Sequence, residues 1–172
     1  MAIRQVRING DEILTKKARP VADITPAMHE LLDDMLETLR AKDAVGLAAP
    51  QVGVLRRIVV VEFDEELYEL INPEILASDG SQVCNEACLS VPGKCGDIER
   101  PFKVTVRALN RHGEEVTVTV DDFVASAFCH EIDHLNGVLF LDNATNVQFI
   151  TNEQAEERRK LRRNRRERRL RR

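Results

Sequence analysis

Apolar residues recur at three- and four-residue steps through Met28, Leu31, Leu32, Met35, Leu36 and Leu39. That is one stripe of an α-helix, and it predicts a helix entered at Thr25, a capping residue, with Pro26 in the first turn. The stripe is core. A short helical turn is expected over 12–17, ended by Pro20. Residues 44–54 are small and apolar, with Gly46, Pro50 and Gly53 as breakers. Residues 57–63 and 67–71 are β-branched and bounded by acidic turns, which predicts strands. Residues 103–109 and 114–120 alternate apolar and polar positions on either side of Asn110-Arg111-His112-Gly113, a hairpin signal that puts His112 in a solvated turn. A second helix is expected to be capped by Asp121 or Asp122 and to end at Asn136-Gly137. Phe123, Ala127, His130 and His134 fall on its inner face by spacing. From about Asn152 the chain is helix-prone but polar nearly all round, interrupted only by Leu161 and Leu170. With so little to bury, that segment should protrude.

Helices mixed with hairpins, without repeated βαβ spacing, predict an α+β fold. Antiparallel sheets and hairpins should surround the central helix of residues 121–136, with a C-terminal helix added. The length of 172 residues suits one globular domain, read as 1–150, followed by a tail over 151–172. Hydrophobic residues at 43% and charged ones at 31% are ordinary for a soluble protein. No apolar run is long enough to span a membrane, and the start MAIRQVRING lacks the apolar stretch of a signal peptide, so cytoplasm is the expected compartment and monomer the default state. In that compartment Cys84, Cys88, Cys95 and Cys129 should stay reduced. The first three do not repeat a CxxC unit, and Cys84, Cys95 and Cys129 are read as ordinary thiols. The net charge of −4 conceals an asymmetry: residues 157–172 carry 11 Lys/Arg and 2 Glu, the rest of the chain 14 basic and 27 acidic side chains. An acidic body carries a basic tail.

The chemistry begins at His130-Glu131-Ile132-Asp133-His134, an HExxH pentad on the second helix. Residues four apart on a helix share a face, roughly 5–6 Å apart between Cβ atoms. Two imidazoles placed so can share one cation, leaving Glu131 free as a proton carrier beside it. A catalytic metal site usually has three protein ligands and an open position. No His follows His134, and the downstream glutamates lie in the charged tail. An upstream thiolate is the attractive third ligand, and Glu86-Ala87-Cys88-Leu89-Ser90 holds one.

At these residues the chain resembles a bacterial peptide deformylase. That family carries a GhGhAAxQ stretch, an EGChS stretch and HEhDH in that order, h being hydrophobic. Here they stand as Ala44-Val45-Gly46-Leu47-Ala48-Ala49-Pro50-Gln51, as Glu86 to Ser90, and as His130 to His134. The resemblance implies that Cys88, His130 and His134 bind one divalent metal, generally Fe²⁺, although Zn²⁺, Ni²⁺ and Co²⁺ suit the same donors. Two neutral imidazoles and one thiolate leave such an ion one net positive charge, enough to acidify water. Glu131 is then the general base, and the Gln51 side-chain amide with the Leu89 backbone N–H are the oxyanion donors. The implied reaction is hydrolysis of the N-formyl group of formyl-methionyl nascent polypeptides, releasing formate. Val45, Gly46, Ala87, Phe123 and Ala127 are candidates for the substrate pocket, with Leu89 beside them. Gly46, Ala48 and Ala49 are small enough to let a peptide backbone approach. Arg100 and Asp133 are read as a supporting ion pair.

Three residues depart from the pattern. Ala44 and Ala87 stand where the family has glycine, and Ser126 sits one turn before His130, where an apolar residue would better line a methionine pocket. These keep open a weakly active or inactive paralogue that binds ribosomes through its tail, and a deacylase of altered specificity. The basic run within residues 157–172 is a candidate grip on ribosomal RNA, because some family members dock near the tunnel exit through a C-terminal helix.

Overall fold

Four branched apolar residues in a row, Ile58-Val59-Val60-Val61, form the middle of the molecule. A computed structural model describes residues 2–64, 66–154, 156, 157 and 160 of the chain. In it this run is the strand β2, after β1 (Gly46–Ala48) and within Ile58–Phe63. A strand that is apolar on both faces must be covered on both. Val59 and Val61 pack toward the helix Asp122–Leu135, while Ile58 and Val60 pack toward the helix Pro26–Ala41. We call the earlier helix α1 and the later one α2.

Further along the chain come β3 (Glu66–Asp79), β4 (Gln82–Cys88), β5 (Val91–Arg100), β6 (Lys103–Leu109), β7 (Glu115–Asp121) and β8 (Thr145–Phe149). All named strand pairs are antiparallel: a five-stranded sheet in the order β1-β2-β3-β6-β7 and a three-stranded one in the order β4-β5-β8. Both predicted helices are present, and the hairpin β6–β7 falls within a residue of its expected ends. The fold is α+β, as expected, with α2 seated on the larger sheet through Ala125, Phe128, Cys129, Ile132 and Leu135. Each such side chain, fully buried, stabilises the packing by about 1.5–3 kcal/mol if it is large and apolar.

Several expectations are corrected. The strand expected to stop at Ile71 continues through Asn72-Pro73 to Asp79. It does so by changing partners, pairing β2 up to Ile71 and β6 beyond it, with register shifts at the crossing. Asn72 takes a left-handed φ of 53° there, and its side chain bonds both backbone polar groups of Val21. The strands β1, β4, β5 and β8 were not anticipated: Gly, Pro or Cys interrupts the apolar alternation of the first three, and β8 is a five-residue, exposed strand with only Val147 and Phe149 apolar. Asp121 occupies the N-cap position of α2, as expected, but makes no side-chain capping hydrogen bond, and Asp122 opens the helix at a φ of 51°. Thr25 likewise precedes α1 without a side-chain bond. Phe123 is not on the buried face of α2; it is 47% exposed, its ring 5.2 Å from that of Phe63.

Cys84, Cys88, Cys95 and Cys129 are free thiols. No helix among the described residues is long and apolar enough to cross a membrane. The backbone is helical at residues 152–154, 156, 157 and 160, while most of the basic run over 157–172 lies outside the described residues.

Candidate metal centre

The end of β4 meets the C-terminal half of α2. There the Sγ of Cys88 and one nitrogen each from His130 and His134 lie within 4.8 Å of one another. Cys88 Sγ is 3.3 Å from His134 Nε2. The two imidazole rings stand nearly perpendicular, centroids 4.9 Å apart. The three residues are buried or nearly so, at 9%, 9% and 1% exposure. A sulfur and a nitrogen sharing a tetrahedral ion are separated by about 3.5 Å, given metal–ligand distances of about 2.3 and 2.0–2.1 Å. The donor set and its spacing therefore fit one divalent cation. Burial, with His130 close by, holds the His134 pKa well below the ordinary value, which keeps that ring a neutral donor.

His130 is oriented from behind. Its Nδ1 lies 2.8 Å from Glu86 Oε2, which leaves Nε2 to face the centre. Glu86 in turn accepts from Arg100 Nε at 2.8 Å and Nη2 at 3.1 Å, and from the Ser126 hydroxyl at 3.0 Å. Burial opposes charge on Glu86, but the His130 and Arg100 contacts prevail and hold its pKa down at about 2. Burial also opposes charge on His130, and there Cys88 and Glu86 prevail in the other direction, raising its pKa well above the ordinary value. Arg100 reaches Asp133 as well, at 2.6 Å, the ion pair read from the sequence. Glu86 and Ser90 are the residues that reading missed. Both lie within the quoted block, but nothing in a residue's identity says that a carboxylate will be buried at 8% exposure against a histidine.

Gln51 and Ser90 secure the Cys88 sulfur. The Gln51 Oε1 accepts from the Ala48 N–H at 2.8 Å, which turns its NH₂ toward Cys88 Sγ at 3.4 Å and Ser90 Oγ at 3.2 Å. The Ser90 N–H also points at the Cys88 sulfur, at 3.4 Å. Leu89, between them, is half-buried in the turn from β4 to β5 and packs on the α1 cluster.

Glu131 is 4% exposed and its Oε2 has no hydrogen-bond partner among the described residues. Burial pushes its carboxyl up to about 7. A Cβ on Gly46 would lie 2.3 Å from Glu131 Oε1, so the missing side chain of that glycine is the space the carboxylate occupies. This revises one expectation: Gly46 makes room for Glu131. Neither Ala44 nor Ala87 has a positive φ, so neither alanine strains the backbone. Ser126 is corrected too: at 3% exposure its hydroxyl is spent on Glu86. Val45 and Ala127 are half-buried against the α2 cluster, Ala87 is half-buried on β4, and Phe123 is exposed as described above.

An HExxH helix, a converging cysteine sulfur and a buried glutamate with one oxygen unpaired among the described residues, on an α+β scaffold, define a metal-dependent hydrolase. Residues 3–149 match the family model described as polypeptide deformylase. The chain is 52% identical over 157 residues to a peptide deformylase of Thermoanaerobacter pseudethanolicus, covering 91% of this chain and 98% of the relative. It is 50% identical over 163 residues to that of Acetivibrio thermocellus, with 95% of each chain covered. The crystal structure of peptide deformylase from Thermotoga maritima superposes with a TM-score of 0.82 at 38% identity, over 84% of this chain and 99% of that one. The chain belongs to the peptide deformylase family. Its activity is deformylation, carried on a Cys/His/His metal site.

Proposed function

We propose that this deformylase removes the formyl group of formyl-methionyl nascent peptides with Glu131 as the proton carrier. The placement of Glu131 carries the reading: a buried carboxylate beside a metal ligand, one oxygen against Gly46 and the other without a partner among the described residues. Cys88, His130 and His134 would hold one divalent cation, Fe²⁺ by the habit of the family, which when bound supplies Lewis acidity toward water and the formyl carbonyl. Glu131 takes the proton of the attacking water as its oxygen bonds the formyl carbon. It then returns that proton to the departing amine as the C–N bond breaks, leaving formate and a free N-terminus. The Gln51 NH₂ and the Leu89 N–H donate to the oxygen on which negative charge develops. Glutamine suits this place because it donates without adding charge near Glu131. Val45, Ala87 and Ala127 form the wall against which the methionine side chain lies, with the exposed Phe123 one turn before Ala127, while the space beside Gly46 goes to Glu131.

Glu131→Gln tests the assignment. It should lower kcat on formyl-Met-Ala by about 10²–10⁴-fold, with metal content by element analysis unchanged. Full turnover by that variant would remove Glu131 from the mechanism.

The charge asymmetry supports a second component of the reading: residues 1–150 form the catalytic unit, and 151–172 a basic extension that grips ribosomal RNA at its phosphates. On this reading the enzyme is cytoplasmic and monomeric, and works where formylated chains emerge. Deleting residues 157–172 should weaken co-sedimentation with ribosomes, most clearly at low salt, and spare hydrolysis of formyl-Met-Ala. Equal ribosome binding by the truncated protein would refute the docking.

A further inference from the structure

We propose that Ser126 is a positioning residue, which fixes the His130 ring through Glu86. The inference rests on reading Cys88, His130 and His134 as the metal centre. Serine within a helix commonly bonds the carbonyl four residues back or points to solvent. Ser126 does neither: it is 3% exposed, and its hydroxyl donates to Glu86 Oε1 at 3.0 Å. His130, one helical turn further along α2, contacts the other oxygen of the same carboxylate at 2.8 Å. The helix thus holds Glu86 at two points four residues apart, Ser126 on Oε1 and His130 on Oε2.

Arg100 completes the set from β5, with Nε on Oε1 at 2.8 Å and Nη2 on Oε2 at 3.1 Å. The guanidinium fork fixes the plane of the carboxylate but belongs to the small sheet. Ser126 ties that plane to α2 directly, whereas Arg100 reaches the helix only at second hand, through Asp133 at 2.6 Å. A ring held by one hydrogen bond can rock with its acceptor, whereas an acceptor pinned to the same helix holds the ring at a set angle. Imidazole ligands depend on such partners for both orientation and basicity. In a buried network, removing one donor leaves a carboxylate lone pair without compensation. The hydroxyl at this position therefore serves the metal centre rather than the apolar pocket.

The test compares wild type, Ser126→Ala and Ser126→Thr. Co²⁺ affinity is measured by chelator competition, and the His130 Nδ1–H proton resonance is recorded in the metal-free and Zn²⁺-loaded proteins. Alanine nearly preserves the volume of serine and Glu86 keeps its Arg100 and His130 partners, so the apo-protein should still fold, melting a few degrees lower for the lost donor. The Ala variant should lose about tenfold in Co²⁺ affinity. Its Nδ1–H should shift upfield and exchange faster, and Thr, which keeps the hydroxyl, should recover both. Wild-type affinity and an unshifted resonance in the Ala variant would overturn the proposal, as would a Thr variant that folds and behaves like Ala. Failure of the wild type to bind Co²⁺ would instead sink the metal reading, and the metal-free resonance would still decide the role of Ser126.

Discussion

Gly46 and Glu131 show how much of this site depends on single atoms. A methyl group on Gly46 would meet Glu131 Oε1 at 2.3 Å and its Cγ and Cδ at 2.7 Å. The carboxylate is buried, so it can yield only by leaving its place. Gly46→Ala should therefore lower kcat by about 10²-fold, the scale of a misplacement of about 1 Å in a reacting group, and stability by about 1–3 kcal/mol. Steady-state kinetics on formyl-Met-Ala and urea unfolding check the two halves separately. Wild-type turnover would mean that Glu131 need not sit against Gly46. Residue types made His130, His134 and the candidate base Glu131 legible in the sequence, because few side chains can do those tasks, whereas Gln51 entered only through the family resemblance. Glu86, Ser90 and the true partner of Ser126 were not legible, because their roles come from burial and from neighbours distant along the chain.

At the scale of elements, the segment of residues 2–9 links the Gln51 loop with the Cys88–Ser90 turn. The Arg7 N–H donates to the Gln51 carbonyl at 2.7 Å, and the Asn9 N–H to the Ser90 carbonyl at 2.7 Å. Upstream, the strap is anchored on α1: Ala2 N–H and Arg4 bond Asp34, and Arg4 N–H bonds Thr38. One extended stretch thereby holds the Gln51 loop and the Cys88–Ser90 turn in register with each other. Arg7→Pro removes a donor that no side chain supplies. It should reduce kcat by roughly tenfold, while Arg7→Ala, which keeps the N–H and loses an exposed 3.5 Å ion pair with Asp11, should stay near wild type. Equal kinetics in the two variants would deny the strap any part in holding the site. No periodicity reveals such a segment, since its contribution is two backbone bonds to partners some forty and eighty residues away.

Across the whole molecule, the donors come from opposite sides of the architecture. Cys88 ends a strand of the small sheet, whereas His130 and His134 ride on the helix that covers the large one. A cation held among them ties the two together, and its affinity adds to the stability of the fold. At a free metal concentration of about 100 Kd the gain is about 2.7 kcal/mol, which for a chain of this size is roughly 5–10 °C in Tm. Chelation should lower the melting temperature by that amount, and Zn²⁺ or Co²⁺ should restore it. Identical melting with and without chelator would show that the centre contributes nothing to cohesion.

By itself the sequence determined the two helices, the β6–β7 hairpin, the α+β class and the identity of the donors, because each follows from local periodicity or from the chemistry of a side chain. Tertiary structure alone decided the rest. It set which strands pair, how β3 passes from one partner to another through Asn72-Pro73, and why Gly46 has no side chain. It also decided that Glu86 would be buried where Ser126, Arg100 and His130 all reach it. Those outcomes depend on distances between residues far apart in the chain, and such distances exist only once the chain has folded.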